Sequence, residues 1–175
     1  VASNRNHVDF RFPVQWVNRP DADYRGFSGT IASGSVQVGD EVLVLPSRRR
    51  SRIEGIDTFD GTLPNASTPM AVTLRLEDQV DVGRGDMIVH AHNAPELRDR
   101  FDATLVWMVD EPLQPGGRYL IKHAHRQTVA RIESIRYRVD VDTLEHQVVP
   151  RLGLNEIGRC ELSLAEPIPI DPYTM

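Results

Sequence analysis

The chain has 175 residues, 40% hydrophobic and 26% charged, with a formal net charge of −5, a composition that excludes a disordered or collagen-like chain. The acidic balance offers no chain-wide attraction to a phosphate backbone, so nucleic-acid binding is not expected. Cys160, the one cysteine, can form neither an internal disulfide nor a CxxC zinc site, which fits a reducing compartment. With no signal-peptide pattern and no apolar run near the roughly 20 residues that span a bilayer, the expected location is the cytoplasm without membrane insertion.

Strands are read from a period of two, because alternate side chains point to opposite faces. Phe10, Phe12, Val14 and Trp16 then share one face, with Arg11, Pro13 and Gln15 on the other. Residues 18–23 read as a turn. Gly26 and Gly29 flank a second short strand running through Thr30 and Ile31, where glycine suggests a bulge or tight bend. Gly34 to Gly39 reads as a turn that leads through Val38-Gly39-Asp40 into Glu41–Leu45. That strand is apolar on both faces, hence central, and Pro46 ends it. Val72, Leu74 and Leu76 alternate with polar neighbours, and Arg84 to His90 closes the first block after a further glycine turn.

Turn formers at Ala91 to Glu96 mark a linker, giving expected domains at 8–92 and 97–175. In the second block Phe101, Ala103, Leu105, Trp107 and Val109 alternate with Asp102, Thr104, Val106 and Met108, and Gln114-Pro-Gly-Gly turns the chain into a strand beginning at Arg118. Val129 to Val141 keeps the strand pattern but changes phase between Ile132 and Ile135, as one inserted bulge residue would require. Cys160, Leu162 and Leu164 form the last clear alternation. No sustained 3.6-residue period exists, so helix is expected only in short turns, around Glu96 to Arg100. The predicted fold is all-β, two small β-barrels in series.

The residues that carry chemistry are sparse. The phosphate-cradling pattern GxxxxGK[ST] is absent, and Lys122 falls in a strand after a Gly-Gly turn. His90-Ala-His92 and His123-Ala-His125 each set two imidazoles at alternate strand positions, a metal-compatible spacing that lacks the third and fourth ligands of a stable site. Arg48, Arg49, Arg50 and Arg52 form the densest positive run and are expected on a hairpin loop beyond Pro46. They are either solvated or a docking patch for an acidic partner or RNA. No aromatic interrupts the run, which disfavours single-strand stacking and leaves a protein partner as the expected occupant. Arg136, Arg138, Asp140 and Asp142 read as a self-compensating solvent face with ordinary ionised aspartates. Asp110-Glu111 reads as a loop and Cys160 as an inert core thiol. No catalytic, cofactor-binding or metal-binding residue is assigned.

DFRFPVQWVNRP at 9–20, RGFSGTIASG at 25–34, VGDEV at 38–42, VTLRLED at 72–78 and RGDMI at 84–88 resemble the second domain of a translational-type GTPase. DVDTLE at 140–145 and LGLNEIGRCELSLAEPI at 152–168 resemble the third. The branch is the large GTP-binding subunit of bacterial sulfate adenylyltransferase, related to elongation factors Tu and 1-alpha. The resemblance covers nearly the whole chain and implies elongation-factor domains 2 and 3 cut from a longer protein. Three departures limit it. The amino-terminal GTPase domain is missing, so no nucleotide-site residue carries over. Ser67-Thr68-Pro69 replaces a segment in which the family usually has a glycine. The chain also stops at 171–175, short of a closing strand, which leaves an edge of the second barrel exposed.

The resemblance implies a non-catalytic role. In the family, GTP hydrolysis is coupled to ATP-dependent sulfate activation, which yields adenosine phosphosulfate and pyrophosphate, and the barrels contact both their own GTPase domain and the small catalytic subunit. GTP, ATP and Mg belong to the intact complex, and the fragment alone is expected to be inactive. The alternative is a pair of elongation-factor barrels that hold a charged tRNA.

Overall fold

The computed structural model describes residues 8–20 and 24–171. Part of the turn expected over 18–23, and the chain end at 172–175, lie outside these described residues. Fourteen strands follow in order: β1 (Arg11–Asn18), β2 (Gly26–Thr30), β3 (Ser35–Gln37), β4 (Glu41–Leu45), β5 (Arg49–Thr58), β6 (Gly61–Leu63), β7 (Asn65–Ser67), β8 (Ala71–Leu76), β9 (Met87–His90), β10 (Glu96–Val106), β11 (Arg118–His123), β12 (Arg126–Val139), β13 (His146–Gln147) and β14 (Ile157–Ile170). The described residues contain no helix. Glu96 to Arg100, expected as a helical turn, instead opens β10, which pairs with β14. Sheet pairing decides the state of such a short segment more than local propensity does. Among the described residues, no helix is long and apolar enough to cross a membrane.

Two compact units emerge, one running to Glu96 and taking in Ala124–Arg126 and Asp171, the other made of Leu97–His123 and Gln127–Ile170. In the first, the strand path is β4-β9-β1-β2-β8-β5-β6, and a further β4–β5 pairing joins distant points of that path. β5 serves two neighbours because it is long. Its start, Arg49 to Arg52, pairs with β4, and its second half, Ile53 to Asp57, pairs with β8. The inward side chains Phe10, Phe12, Val14, Val42, Val44, Ile53, Ile56, Leu74 and Ile88 are fully buried, each contributing about 1.5–3 kcal/mol by leaving water.

Four expectations for this unit change. Trp16 is 64% exposed, because the register against β2 shifts between Val14 and Trp16 and the irregularity turns the tryptophan away from Phe12 and Val14. Arg11 is buried instead of outward. Its guanidinium donates to the carboxylate of Asp171 at 2.6 and 2.9 Å and to the carbonyls of Phe10 and Asn93 at 2.9 and 2.8 Å, which offsets the cost of removing the charge from water. Gly26 and Gly29 lie within β2 and do not flank it. Between Gly34 and Gly39, the short strand Ser35–Gln37 pairs with β7.

The second unit is a sheet ordered β10-β14-β12-β11, with β13 against β12. Leu113, Ile132, Leu152, Cys160 and Leu162 form its buried centre, with Phe101, Leu105, Trp107, Tyr119 and Ile121 packed around it and only partly covered. The phase change read in β12 is present: register against β14 shifts between Ile132 and Ser134 and again between Ile135 and Tyr137. Among the described residues β10 and β11 stand at the ends of the strand path. These pairings define an open sheet, so the fold is all-β but a closed second barrel is not what they form.

Candidate docking surface

The arginine run is built on the β4–β5 hairpin. Val42 and Val44 are buried in the core, and so are Ile53 and Ile56 across the turn. This alternation sends Arg50 and Arg52 outward, two residues apart on one strand. Between them Ser51 points inward, 4% exposed. Its hydroxyl donates to Asp78 Oδ2 at 2.9 Å and accepts from the Asp78 backbone N–H at 3.2 Å. That pair pins the strand, and with it the outward phase of both arginines.

All four arginines are exposed, but only Arg48 is in the loop. Arg49, Arg50 and Arg52 belong to β5, which corrects the placement of the whole run beyond Pro46. Three loop residues suffice because Arg48 takes φ 58° and its N–H bonds to the Val44 carbonyl at 2.7 Å. Arg50 Nη1 lies 3.4 Å from Glu41 Oε1, both groups well exposed, a pair of little net value in water. Arg52 Nη1 donates to the Gly39 carbonyl at 3.2 Å. Neither Arg48 nor Arg49 has a side-chain hydrogen bond or ion pair among the described residues. The result is a ridge of exposed cations with most donors open to water.

A second feature, invisible in the sequence, is a cavity of about 440 Å³ on the outer face of the first unit, lined by Gln15, Tyr24, Ser28, Asp57, Phe59 and Thr73 among others. Its residues come from four strands and a turn, and no local pattern links them. The register Gly26↔Arg75 and Asp57↔Thr73 brings Arg75 Nε and the Tyr24 hydroxyl each to 3.0 Å from Asp57 Oδ2, while Arg75 Nη1 reaches Glu54 at 3.0 Å. Burial, followed by the Asp57 hydrogen bond, pushes the Tyr24 phenol up. The carboxylate is thus committed to structural partners.

Neither histidine pair lies on one strand as expected, since β9 ends at His90 and β11 at His123, with His92 and His125 in turns. His90 Nε2 sits 3.1 Å from Asp40 Oδ2, its ring between Phe10 and a stacked His92. His123 ends β11, and Ala124, at φ 51°, starts a turn that takes His125 off the strand on which both had been placed. Among the described residues, no group of three or more His, Cys, Asp or Glu could hold a metal. Cys160 is fully buried, and that burial raises its thiol pKa.

The charged face of β12 does not compensate itself as the spacing suggests. Arg136 pairs with Glu161 at 3.0 Å and Asp102 at 3.5 Å, and Arg138 binds Glu156 and Gln147. Asp140 accepts the N–H groups of Thr143 and Asp142, which hold its carboxyl below the usual range. The Gly153 N–H, at 2.7 Å, does the same for Glu156, aided by Arg138. Since Glu156 titrates below its ordinary 4.5 in the folded chain, the native state binds fewer protons there. Its stabilising contribution is present above about that pH and lost as pH falls through the folded value. Glu156→Gln is expected to flatten the acid limb of stability against pH, and an unchanged limb in thermal unfolding of the variant would contradict this.

Comparison with known proteins agrees with this architecture. The family described as GTP-eEF1A C-terminal domain-like matches residues 100–175. A crystal structure of sup35 complexed with GDP superposes with a TM-score of 0.82 at 18% identity, over 95% of this chain and 41% of that one. The fold is therefore that of the β-domains of elongation-factor-like proteins. In sequence, the chain is 50% identical over 99% of its length to "Bifunctional enzyme CysN/CysC" of Rhodopirellula baltica, covering 27% of that protein. It is 46% identical to "Sulfate adenylyltransferase subunit 1" of Aliivibrio salmonicida, covering 36%. The chain is thus similar to sulfate adenylyltransferase subunit 1 over nearly its whole length and spans about a third of the curated relatives it matches. The name subunit 1 implies a partner subunit for that relative.

Proposed function

We propose that these two units are the non-catalytic coupling part of a GTP-dependent sulfate adenylyltransferase in the cytoplasm. They transmit the nucleotide state of a GTPase domain elsewhere in the protein to a small catalytic subunit, and they dock that subunit through the face that carries Arg48, Arg49, Arg50 and Arg52. The observation that carries this reading is the match to sulfate adenylyltransferase subunit 1 over 99% of the chain. Transfer of an adenylyl group from ATP to sulfate forms a strongly uphill phosphosulfate anhydride, and a second hydrolysis is a physically sensible drive for it. GTP, ATP and Mg act in the intact complex, and no residue of this chain is assigned to bind them. The role is one of population shift: whichever arrangement of the units the small subunit prefers is favoured in one nucleotide state.

Hydrogen exchange on the intact protein, with and without the small subunit and with GTP or GDP, tests the proposal. Protection of the β4–β5 hairpin on subunit binding, differing between the nucleotides, is expected. No protection anywhere between residues 8 and 171, in either state, would overturn it.

A further inference from the structure

We infer that the β4–β5 ridge receives an extended acidic segment of the partner subunit, one whose carboxylates recur at every second residue. This deepens the docking role proposed above and rests on it. The spacing supplies the argument. Arg50 and Arg52 project from one face of β5, about 6.6–6.8 Å apart along the strand because each residue advances about 3.3–3.4 Å. An extended peptide repeats its own side chains at the same interval and on one face. Asp or Glu residues two apart therefore meet both arginines in register, while a helical acidic run does not.

Recognition here runs through side chains. β5 pairs with β4 over Arg49 to Arg52 and with β8 from Ile53 onward, and both arginines leave the strand through its outer face and not through a backbone edge. The Ser51–Asp78 pair beneath fixes the strand phase that sends both arginine side chains outward. An RNA strand would also find its phosphates but no aromatic platform, since none of residues 46–53 is aromatic. Arg48 and Arg49, lacking side-chain partners among the described residues, extend the cationic ridge and speed encounter with an acidic partner. Glu41, across from Arg52 in register and 3.4 Å from Arg50, is a built-in competitor that an incoming carboxylate displaces.

Fluorescence anisotropy on the intact protein, with a short labelled peptide of alternating Glu and Thr, tests this. A peptide of the same composition built from Glu-Glu-Thr-Thr repeats, which never sets two Glu residues two apart, and an RNA of equal length are the comparisons. The alternating peptide is expected to bind, to weaken with added salt, and to lose about tenfold or more in affinity in the double variant R50E/R52E. Glu41→Gln is expected to tighten it. All three positions are exposed, so unchanged thermal unfolding of the variants separates lost contacts from lost fold. Equal binding of the Glu-Glu-Thr-Thr peptide, tighter binding of RNA, or insensitivity to the reversal would each overturn the inference. If the small subunit still protects the hairpin while the alternating peptide fails, only this inference falls. If the subunit leaves residues 8–171 unprotected, the docking role falls with it.

Discussion

Replacing Gly34 by alanine is expected to cost the first unit about 3 kcal/mol or more, and with it about 12 °C or more of melting temperature. Two penalties coincide at this position. Gly34 has φ +73°, where an L side chain is strained. A Cβ there would also lie 2.5 Å from the Phe10 nitrogen and 2.6 Å from the Asp9 carbonyl carbon. Both obstacles are backbone, and that backbone enters β1, where the Arg11 N–H bonds to Ser33 O at 3.0 Å and the Ala32 N–H to Arg11 O at 2.9 Å. Relief of the clash therefore requires breaking the seam that seats Phe10 and Phe12 in the core. Gly39, at φ +91° but with nothing within 4 Å, isolates the conformational part, and Gly39→Ala should cost only about 1–2 kcal/mol. Denaturant titration of both variants decides the matter. Equal losses would mean that the β1 entry yields to the extra methyl.

Phe12→Ala is expected to destabilise the same unit by about 3–5 kcal/mol, the range for emptying a buried aromatic site. Phe12 is fully buried, its ring 6.3 Å from that of Phe10 in a stacked arrangement, in the cluster that also holds Val42 and Val44. The cavity would therefore loosen the β4 side of the arginine hairpin. Phe59, at 104% exposure, is the contrasting case: its removal should alter stability by no more than about 0.5 kcal/mol. Urea unfolding of the two variants measures both figures. A loss at Phe59 comparable to that at Phe12 would show that the tip of the β5–β6 turn is packed.

Much of the strand order was legible because its signal is local. Alternation placed Val72, Leu74 and Leu76 in β8 and Cys160, Leu162 and Leu164 in β14. The broken phase after Ile132 revealed an irregularity, since Ala130 and Ile132 before it and Ile135, Tyr137 and Val139 after it define two different phases. Trp16 escaped the same logic. The shift in β1 comes near its end, with too few apolar residues beyond it to reveal a new phase. The arginine run was legible as a concentration of charge but misplaced as a loop, because arginine carries no marker that tells a turn from an outward strand face.

Composition and the period of side-chain alternation, properties of neighbours along the chain, determined that this protein is all-β, where most strands lie and that its positive charge concentrates at residues 48–52. Only the tertiary structure decided which pairings form. Strand register therefore set the burial of Arg11, the outward turn of Trp16, the meeting of Tyr24, Asp57 and Arg75, and the even ladder of Arg50 and Arg52. The physical reason is that a hydrogen-bonded register couples residues far apart in sequence, and a shift of one residue reverses which face each side chain occupies.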